Sequence, residues 1–426
     1  MTLPPRRPAR HADLIDPPHR LRPMVGRDPE EGGRAATPLE LLFDLTFAVA
    51  FSAAGNEFAH ALADGHLVGG VAAFCLSVLA VCWCWINFTW FASAYDTDDW
   101  LFRALTMVQM AGVIVVAVGL PTLFASIVEG DHLALAVPVA GYVVMRVAMV
   151  LLWLRAAKHD PQRRRSANAH IVAILAAQLL WCLLALADLP VMPGMAILLV
   201  PIGVEMVGPY LAETRDGGTP WHPHHIAERY GLLVIITLGE TVIGTVSAMS
   251  ALVHHTDAGW TADAIVVLAA GVALTFGLWW TYFVIPWGEV LQHHRERAFF
   301  WGYGHMAIFG GIAATGAGLH VGQYYLEHET HLSAIATLLA VVVPVAVYLG
   351  MLYLMYAVGM RAADRFQLLL IVPTAAALVL AVALVASGAS YPVGLAIVAL
   401  APIITIVGHE TIGHRHVSAH LDRLRD

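Results

Sequence analysis

Five ionisable residues lie inside long apolar stretches and are the first candidates for chemistry. They are Asp44, Arg146, Glu205, Glu240 and His305. A charge at the centre of a membrane helix costs about 2.5–3.5 kcal/mol on insertion scales, so such positions are functional candidates by default. Buried carboxylates can carry a proton or a cation, and a buried arginine can serve as their counter-charge.

These five residues are expected at similar depth. At the rise of an α-helix they lie roughly 6–18 Å from the inner ends of their predicted helices. An arginine at this depth should contact a carboxylate, since pairing offsets part of its desolvation cost. We predict that Arg146 pairs with Glu205 or Glu240. A purely structural ion pair is the competing interpretation, and His305 is also typical of a packed, hydrogen-bonded core histidine.

Other charged residues have local explanations. Thr37-Pro38-Leu39-Glu40 has the form of a capping box with proline at the first helical position, so Glu40 is expected to cap a helix. Asp44, one turn later, has no such explanation. Glu228 and Arg229 are expected at the inner membrane interface. A charge there costs little free energy, which favours a structural role.

Histidine spacing gives weak metal signals. His224 and Glu228 lie four residues apart and would share one helical face, but the segment is interrupted by proline. His409 and His414 flank Glu410 at a spacing of five, which takes the histidines off a common face and argues against a zinc protease. We predict no metal site, no cofactor and no catalytic residue.

One stretch is rich in aromatic residues. It contains Trp83, Trp85, Phe88, Trp90 and Phe91. The simplest interpretation is helix packing that runs into an aromatic belt at the membrane interface.

Membrane helices must position all of these side chains. The chain has 426 residues, of which 59% are hydrophobic and 13% charged, and its mean hydropathy is +0.70. Soluble domains carry about 25% charged residues, so a soluble fold is excluded. Apolar runs predict an all-α polytopic membrane protein with about twelve transmembrane helices, near residues 40–62, 70–94, 101–127, 133–155, 166–187, 191–211, 228–253, 260–285, 297–318, 333–356, 365–388 and 391–409.

The distribution of basic residues predicts the orientation. Seven arginines precede residue 40, and alternate loops beyond it contain no lysine or arginine. Positive loops stay on the cytoplasmic side, so both termini are predicted to be cytoplasmic in a bacterial inner membrane. No basic stripe suggests nucleic acid. The expected partners are the lipid bilayer and a small solute or ion, and the oligomeric state is left open.

An internal repeat predicts the domain organisation. Ten of 21 positions are identical between Val137–Ala157 and Val343–Ala363 without a gap. The offset spans six helices, an even number, so two parallel six-helix repeats are expected. The predicted units are a flexible Arg/Pro-rich cytoplasmic tail (1–36), a first repeat (37–211), a cytoplasmic linker (212–227), a second repeat (228–412) and a cytoplasmic tail (413–426).

Two motifs carry a family resemblance. Glu40-Leu-Leu-Phe-Asp-Leu-Thr-Phe-Ala-Val-Ala and His225-Ile-Ala-Glu-Arg-Tyr-Gly-Leu-Leu-Val-Ile-Ile-Thr-Leu-Gly-Glu240 resemble hallmark sequences of the bacterial low temperature requirement protein A (LtrA) family. The resemblance spans residues 37 to about 412 and implies a multi-pass bacterial membrane protein, linked in name to growth in the cold. The motif positions it carries over are Glu40, Phe43, Asp44, His225, Glu228, Arg229, Gly231, Gly239 and Glu240.

Three functions fit this architecture. The first is a secondary transporter or channel for an ion or small solute, with Glu240, Asp44 and Glu205 as carriers and Arg146 as counter-charge. The second is an intramembrane enzyme that acts on lipid or isoprenoid substrates through His225 and Glu228. The third is a non-catalytic membrane assembly protein. We favour transport, a function that involves no enzymatic step.

Overall fold

The computed structural model describes residues 21–254, 260–359 and 365–415. Every element in these ranges is helical, and no strand forms within them. The helices are α1 Pro38–Ala63, α2 Leu67–Tyr95, α3 Trp100–Val128, α4 Ala136–His159, α5 Arg164–Leu186, α6 Val191–Glu213, α7 Pro223–His254, α8 Ala262–Phe283, α9 Trp287–His293, α10 Ala298–Leu326, α11 Ala334–Gly359, α12 Arg365–Ala386, α13 Tyr391–Val398 and α14 Leu400–Gly408.

The chain is a multi-pass membrane protein by the length and composition of its helices. Among the described residues, eleven helical segments are long and apolar enough to cross a membrane. The predicted all-helical membrane class is therefore confirmed, whereas a count of twelve spans is not. Helix α10 is 29 residues long but is not one of the eleven. Its many glycines and its polar side chains lower its hydropathy.

Helix α10 lies in the middle of the bundle. It packs along α7 and α11 and also contacts α1 and α2. Its glycines permit this close packing, because a Cβ added at Gly318 would overlap the carbonyl oxygen of Ala340 on α11. A Cβ added at Gly316 would lie 2.6 Å from the carbonyl oxygen of Glu240 on α7. Small residues at helix interfaces allow this approach of backbones in membranes.

The linker predicted at 212–227 is shorter in the structure. Helix α6 continues to Glu213 and α7 begins at Pro223. Proline is well suited to a first helical position because its fixed φ matches the helix and its missing N–H is not needed there. The last predicted helix, 391–409, is interrupted between α13 and α14 and continues through a π-helical turn, His409–Gly413.

Residues 21–36, the described part of the flexible tail predicted for 1–36, pack against the bundle. Met24 is fully buried. The amide of Gly26 donates to Asp160 at 3.2 Å, and the amide of Arg27 donates to the carbonyl of Ala94 at 3.0 Å. Backbone groups that find partners on the bundle fix the segment in place. Residues 1–20 and 416–426 of the two predicted tails, and residues 360–363 of the repeat, lie outside the described residues.

Helices of the two predicted repeats meet mainly through α1, α2, α7 and α10. Helix α1 contacts both α7 and α10, and α2 contacts both as well. Within the first repeat, α3 packs on α4 and α5 on α6. The twofold repeat itself stays a prediction. The contacts of α1 and α2 with α7 and α10 bring the two sequence motifs together.

Candidate functional site

The start of helix α1 follows the predicted capping box. The amide of Glu40 donates to the Thr37 hydroxyl at 3.3 Å, and the Glu40 carboxylate accepts from the Thr37 amide at 2.8 Å. Two otherwise unpaired helix donors are satisfied reciprocally. The capping interpretation of Glu40 is confirmed, but this carboxylate also has partners on another helix.

Glu40 and Asp44 on α1 face His225 and Arg229 on α7 in what we call the Arg229 cluster, which also includes Trp85 of α2. The Arg229 guanidinium lies 2.8 Å from Glu40 and binds Asp44 through two nitrogens, at 2.5 and 3.1 Å. His225 Nε2 lies 3.2 Å from Glu40, and the Trp85 indole donates to Asp44 at 2.6 Å. On each helix the two charged residues are four apart and therefore share one face.

All four ionisable side chains of this cluster are completely buried. The Arg229 side chain points into the bundle, while its predicted depth at the inner membrane interface stays a prediction. Two carboxylates surround one guanidinium, so the cluster carries one net negative charge when His225 is neutral. Protonation of His225 would make the whole cluster neutral. Removing one member of such a buried set leaves an uncompensated charge.

A second group, the Arg146 cluster, joins α4, α6 and α2. Arg146 lies 2.9 Å from Glu205, as one of the two predicted pairings requires. Glu205 also accepts hydrogen bonds from the Tyr142 hydroxyl and from the Trp83 indole, both at 2.5 Å. The guanidinium donates to the Tyr142 oxygen and lies 4.5 Å from the centre of that ring. This cluster is electrically neutral and buried.

Helix α2 therefore lies between the two clusters. Trp83 donates to Glu205, and Trp85 donates to Asp44. Side chains two residues apart on a helix point in nearly opposite directions. The interpretation of the aromatic run as helix packing and an interfacial belt does not account for the hydrogen bonds that its two indoles donate. A buried indole N–H needs an acceptor, which is the signal in the sequence that could have suggested these contacts.

Glu240 belongs to neither cluster. It lies on α7, fifteen residues or about 22 Å beyond His225, and it is 6% exposed. Its carboxylate lies beside the Ser52 side chain of α1, and Gly316 of α10 packs directly against its backbone. Within the residues that the structure describes, no cationic side chain forms an ion pair with it. The alternative pairing of Arg146 with Glu240 is thus wrong, because the two side chains belong to different helix interfaces.

His305 is a packed core histidine. Its Nδ1 lies 2.7 Å from the carbonyl oxygen of Trp301, which can only accept, so Nδ1 carries the hydrogen. Its Nε2 then accepts from the Tyr282 hydroxyl at 2.9 Å. The rings of Tyr230 and Phe309 also contact it. The five candidates predicted from the sequence do not converge on one centre.

The weak metal pair predicted at His224 and Glu228 does not assemble. His224 contacts Gln292 at 2.8 Å, and Glu228 accepts from the Ala36 amide at 3.2 Å. In the described ranges, no three His, Cys, Asp or Glu side chains gather so as to hold a metal ion.

An aromatic-walled cavity of about 410 Å³ opens at the end of the bundle where α7 begins. Trp83 is one of its lining residues and also donates to Glu205, so the cavity adjoins the Arg146 cluster. Its walls come from α2, α4, α5, α6, α10 and the segment before α7, and the lining residues are Trp83, Ile86, Asn87, Trp90, Phe91, Trp153, His170, Pro209, Tyr210, Glu213, Thr214, Gly217, Thr219, Trp221, Arg295, Glu296, Ala298, Phe299, Gly302 and Tyr303.

Two carboxyls in the loop between α2 and α3 have pKa values that are shifted in opposite directions. Burial raises the pKa of Asp96 to about 6. Burial also acts to raise the pKa of Asp99, but hydrogen bonds from Arg155 and from the amides of Phe102 and Arg22 outweigh it and lower this pKa to about 2. Arg155 binds Asp99 through both terminal nitrogens. This buried ion pair was not predicted from the sequence.

Comparison with known proteins identifies the family. The family model for bacterial low temperature requirement A protein (LtrA) matches residues 35–402. This chain belongs to the LtrA family. It is also 28% identical over 296 residues to the uncharacterized protein RA0937 of Rhizobium meliloti (strain 1021). This alignment covers 66% of this chain and 67% of that protein. No solved structure matches the chain.

The LtrA resemblance predicted from the two motifs is confirmed, and the structure shows how they meet. Glu40 and Asp44 of the first motif bind His225 and Arg229 of the second. Other motif positions pack nearby: the Phe43 ring lies 4.1 Å from that of Phe88, and Gly231 lies against the ring of Phe283. A Cβ at Gly239 would meet nothing within 4 Å.

Proposed function

We propose that this LtrA-family protein is a secondary transporter of the bacterial inner membrane, and that Glu240 is its proton- or cation-binding group. We also propose that both termini lie on the cytoplasmic side, because the loops rich in arginine are expected there. A transporter needs a carboxyl that can gain and lose a positive ion within the membrane, and intramembrane carboxyls are rare outside such roles.

The observation that carries the proposal is the environment of Glu240. Its carboxyl is buried where α7 crosses α1 and α10, it contacts the Ser52 hydroxyl, and no arginine neutralises it in the described part of the chain. A carboxyl held in place only by a hydroxyl can exchange a proton or bind a small cation without breaking an ion pair. Gly55 of α1 faces the carboxylate, since a Cβ added there would lie 3.8 Å from Oε2, and Gly316 of α10 packs against the Glu240 backbone.

The two clusters have a different role in this proposal. Asp44 and Glu205, expected from the sequence as carriers, are each bound by an arginine and an indole. Exchange of an ion there would first have to break a charge-assisted pair, which is costly in a low-dielectric interior. We assign these clusters to holding α1 against α7 and α4 against α6 while the carrier group exchanges its ion.

One observation argues against the intramembrane enzyme. His225 is completely buried and contacts Glu40, whereas Glu228 is exposed and accepts from the Ala36 amide. A general base and its partner should converge on one reacting atom. These two side chains diverge, so transport is better supported.

Reconstituted protein tests the proposal. Liposomes that contain the wild type should take up protons or a monovalent cation under an imposed gradient faster than empty liposomes. Glu240→Gln, which keeps the shape and removes the charge, should lower the flux to the background. Glu129→Gln is the matched control, since its side chain is 69% exposed outside the bundle core. Equal flux in wild type and Glu240→Gln would refute the role of Glu240.

A further inference from the structure

The aromatic-walled cavity has the size and composition of a small-molecule site. Its volume of about 410 Å³ lies within the roughly 300–1,000 Å³ of typical ligand pockets. Four indole rings line it, those of Trp83, Trp90, Trp153 and Trp221. Flat aromatic faces at this density favour a flat, largely apolar ligand body.

Both carboxylates that line the cavity already have hydrogen-bond or ion-pair partners. Glu213 accepts from the amide and the hydroxyl of Thr219 at 2.8 and 2.9 Å, and it contacts His170 at 3.1 Å. Glu296 lies within ion-pair distance of His294 and Arg297. Both carboxylates keep their negative charge, but their oxygens already accept from these partners, so they offer few free acceptors to the N–H groups of an organic cation.

Arg295, which lines the cavity, has N–H donors that are available to a ligand. Arg295 lies over the Trp221 ring at 4.1 Å and donates one hydrogen bond, from Nη2 to the Trp221 carbonyl at 2.7 Å. In the residues that the structure describes, no carboxylate forms an ion pair with it. A guanidinium has five N–H donors in a fork that matches a carboxylate. The stacked ring also fixes its orientation.

We infer that this cavity binds a flat aromatic monocarboxylate, with the ring system among the indoles and the carboxylate on Arg295. The four indole walls and the Arg295 guanidinium, which has no carboxylate partner within the described residues, together favour this amphipathic anion. The inference names the substrate class for the proposed transporter and rests on that proposal only for the transport step, because binding itself requires no flux.

Equilibrium binding to the full-length protein in lipid nanodiscs tests the inference. The probe is 2-naphthoate, and binding is followed by quenching of tryptophan fluorescence. The wild type should bind it saturably, and Arg295→Gln should weaken the affinity by about 2- to 5-fold, the range for a charge pair at an exposed arginine. Arg165→Gln is the matched control, because Arg165 is exposed and lies outside the cavity lining. It should bind as the wild type does.

Ligand analogues keep the test decisive even if a variant folds poorly. On the wild type, neutral 2-naphthamide and cationic 2-naphthylmethylammonium should bind more weakly than 2-naphthoate. Decanoate, a flexible lipid-like carboxylate, should also bind more weakly. Absence of saturable 2-naphthoate binding, tighter binding of the cation or of decanoate, or unchanged affinity in Arg295→Gln would overturn the inference. None of these outcomes depends on the flux through Glu240.

Discussion

Arg229 connects the two family motifs at the level of single residues. Its guanidinium contacts Glu40 and Asp44 of α1, and all three side chains are fully buried. Buried pairs derive little net stability from their charges, because desolvation offsets the attraction. Their removal one partner at a time is nevertheless costly. The cluster therefore makes the fold sensitive to each of its members.

Arg229→Met should destabilise the protein by about 3–5 kcal/mol, because Glu40 and Asp44 would be left buried without their counter-charge. Arg103→Met is the control, since the Arg103–Asp98 pair is half exposed, and exposed pairs contribute about 0–1 kcal/mol. Unfolding in mixed detergent micelles measures both free energies. Similar losses for the two variants would contradict the described cluster.

Asp96 should make stability depend on pH in an unusual direction. Its pKa is raised to about 6 in the folded protein, against about 3.9 when unfolded. The folded state then binds more protons between these values, so stability falls as pH rises from about 4 to about 6. Asp96→Asn should remove this fall and be more stable than the wild type at pH 7, by about 1–3 kcal/mol.

Asp99 should make stability depend on pH in the opposite direction. Its pKa is lowered to about 2, so its contribution is present above about pH 4 and is lost as pH falls towards 2. Asp99→Asn should therefore destabilise the protein at pH 7. Thermal unfolding across pH 4–8 distinguishes the two carboxyls, and a stabilising Asp99→Asn would show that its pairing with Arg155 is wrong.

Helix α10 determines how closely the central helices pack. Its glycines bring α7 and α11 against it, and this packing positions the Glu240 backbone beside Gly316. Overpacking a tight interface forces the helices apart and typically costs about 1–3 kcal/mol. The glycine content that gives α10 this role also explains why it falls short of the hydropathy of the other long helices.

Gly318→Ala should destabilise the protein by at least about 1 kcal/mol, because the new methyl group would overlap the Ala340 carbonyl on α11. Gly350→Ala is the matched control on α11, where nothing lies within 4 Å of the new Cβ. It should be neutral or slightly stabilising, since alanine favours the helix by up to about 1 kcal/mol. Thermal unfolding of both variants measures the difference, and equal effects would contradict the packing of α10.

The helices were largely predictable from the sequence, and the site was only partly so. Long apolar runs specify membrane helices because every backbone polar group must be satisfied within the segment. The Arg146–Glu205 pair followed from the cost of an unpaired arginine. Depth along a helix does not reveal which face a residue occupies or which helix it meets. For this reason the sequence does not show that Arg229 meets Glu40 and Asp44, and it leaves both Glu205 and Glu240 as possible partners of Arg146.

At the scale of the whole molecule, the segment before α1 links the two predicted halves at the end of the bundle where α1 and α7 begin. Arg22 and Gly26 bind Asp99 and Asp160 of the first half. The Ala36 amide binds Glu228 of the second half. Composition predicted a flexible tail because proline and arginine are abundant there. Specific backbone partners on the bundle, which composition does not encode, fix residues 21–36 instead.

We propose that Glu240 exchanges its ion while the Arg229 cluster holds α1 against α7. Infrared difference spectra of the reconstituted protein, recorded between acid and alkaline pH, test this most directly. Other carboxyls, such as Asp96, also titrate in this range, so we predict that one of several protonated-carboxyl bands that shift in heavy water is present in the wild type and in Glu129→Gln and is missing in Glu240→Gln. A spectrum of Glu240→Gln identical to that of the wild type would contradict the role of Glu240.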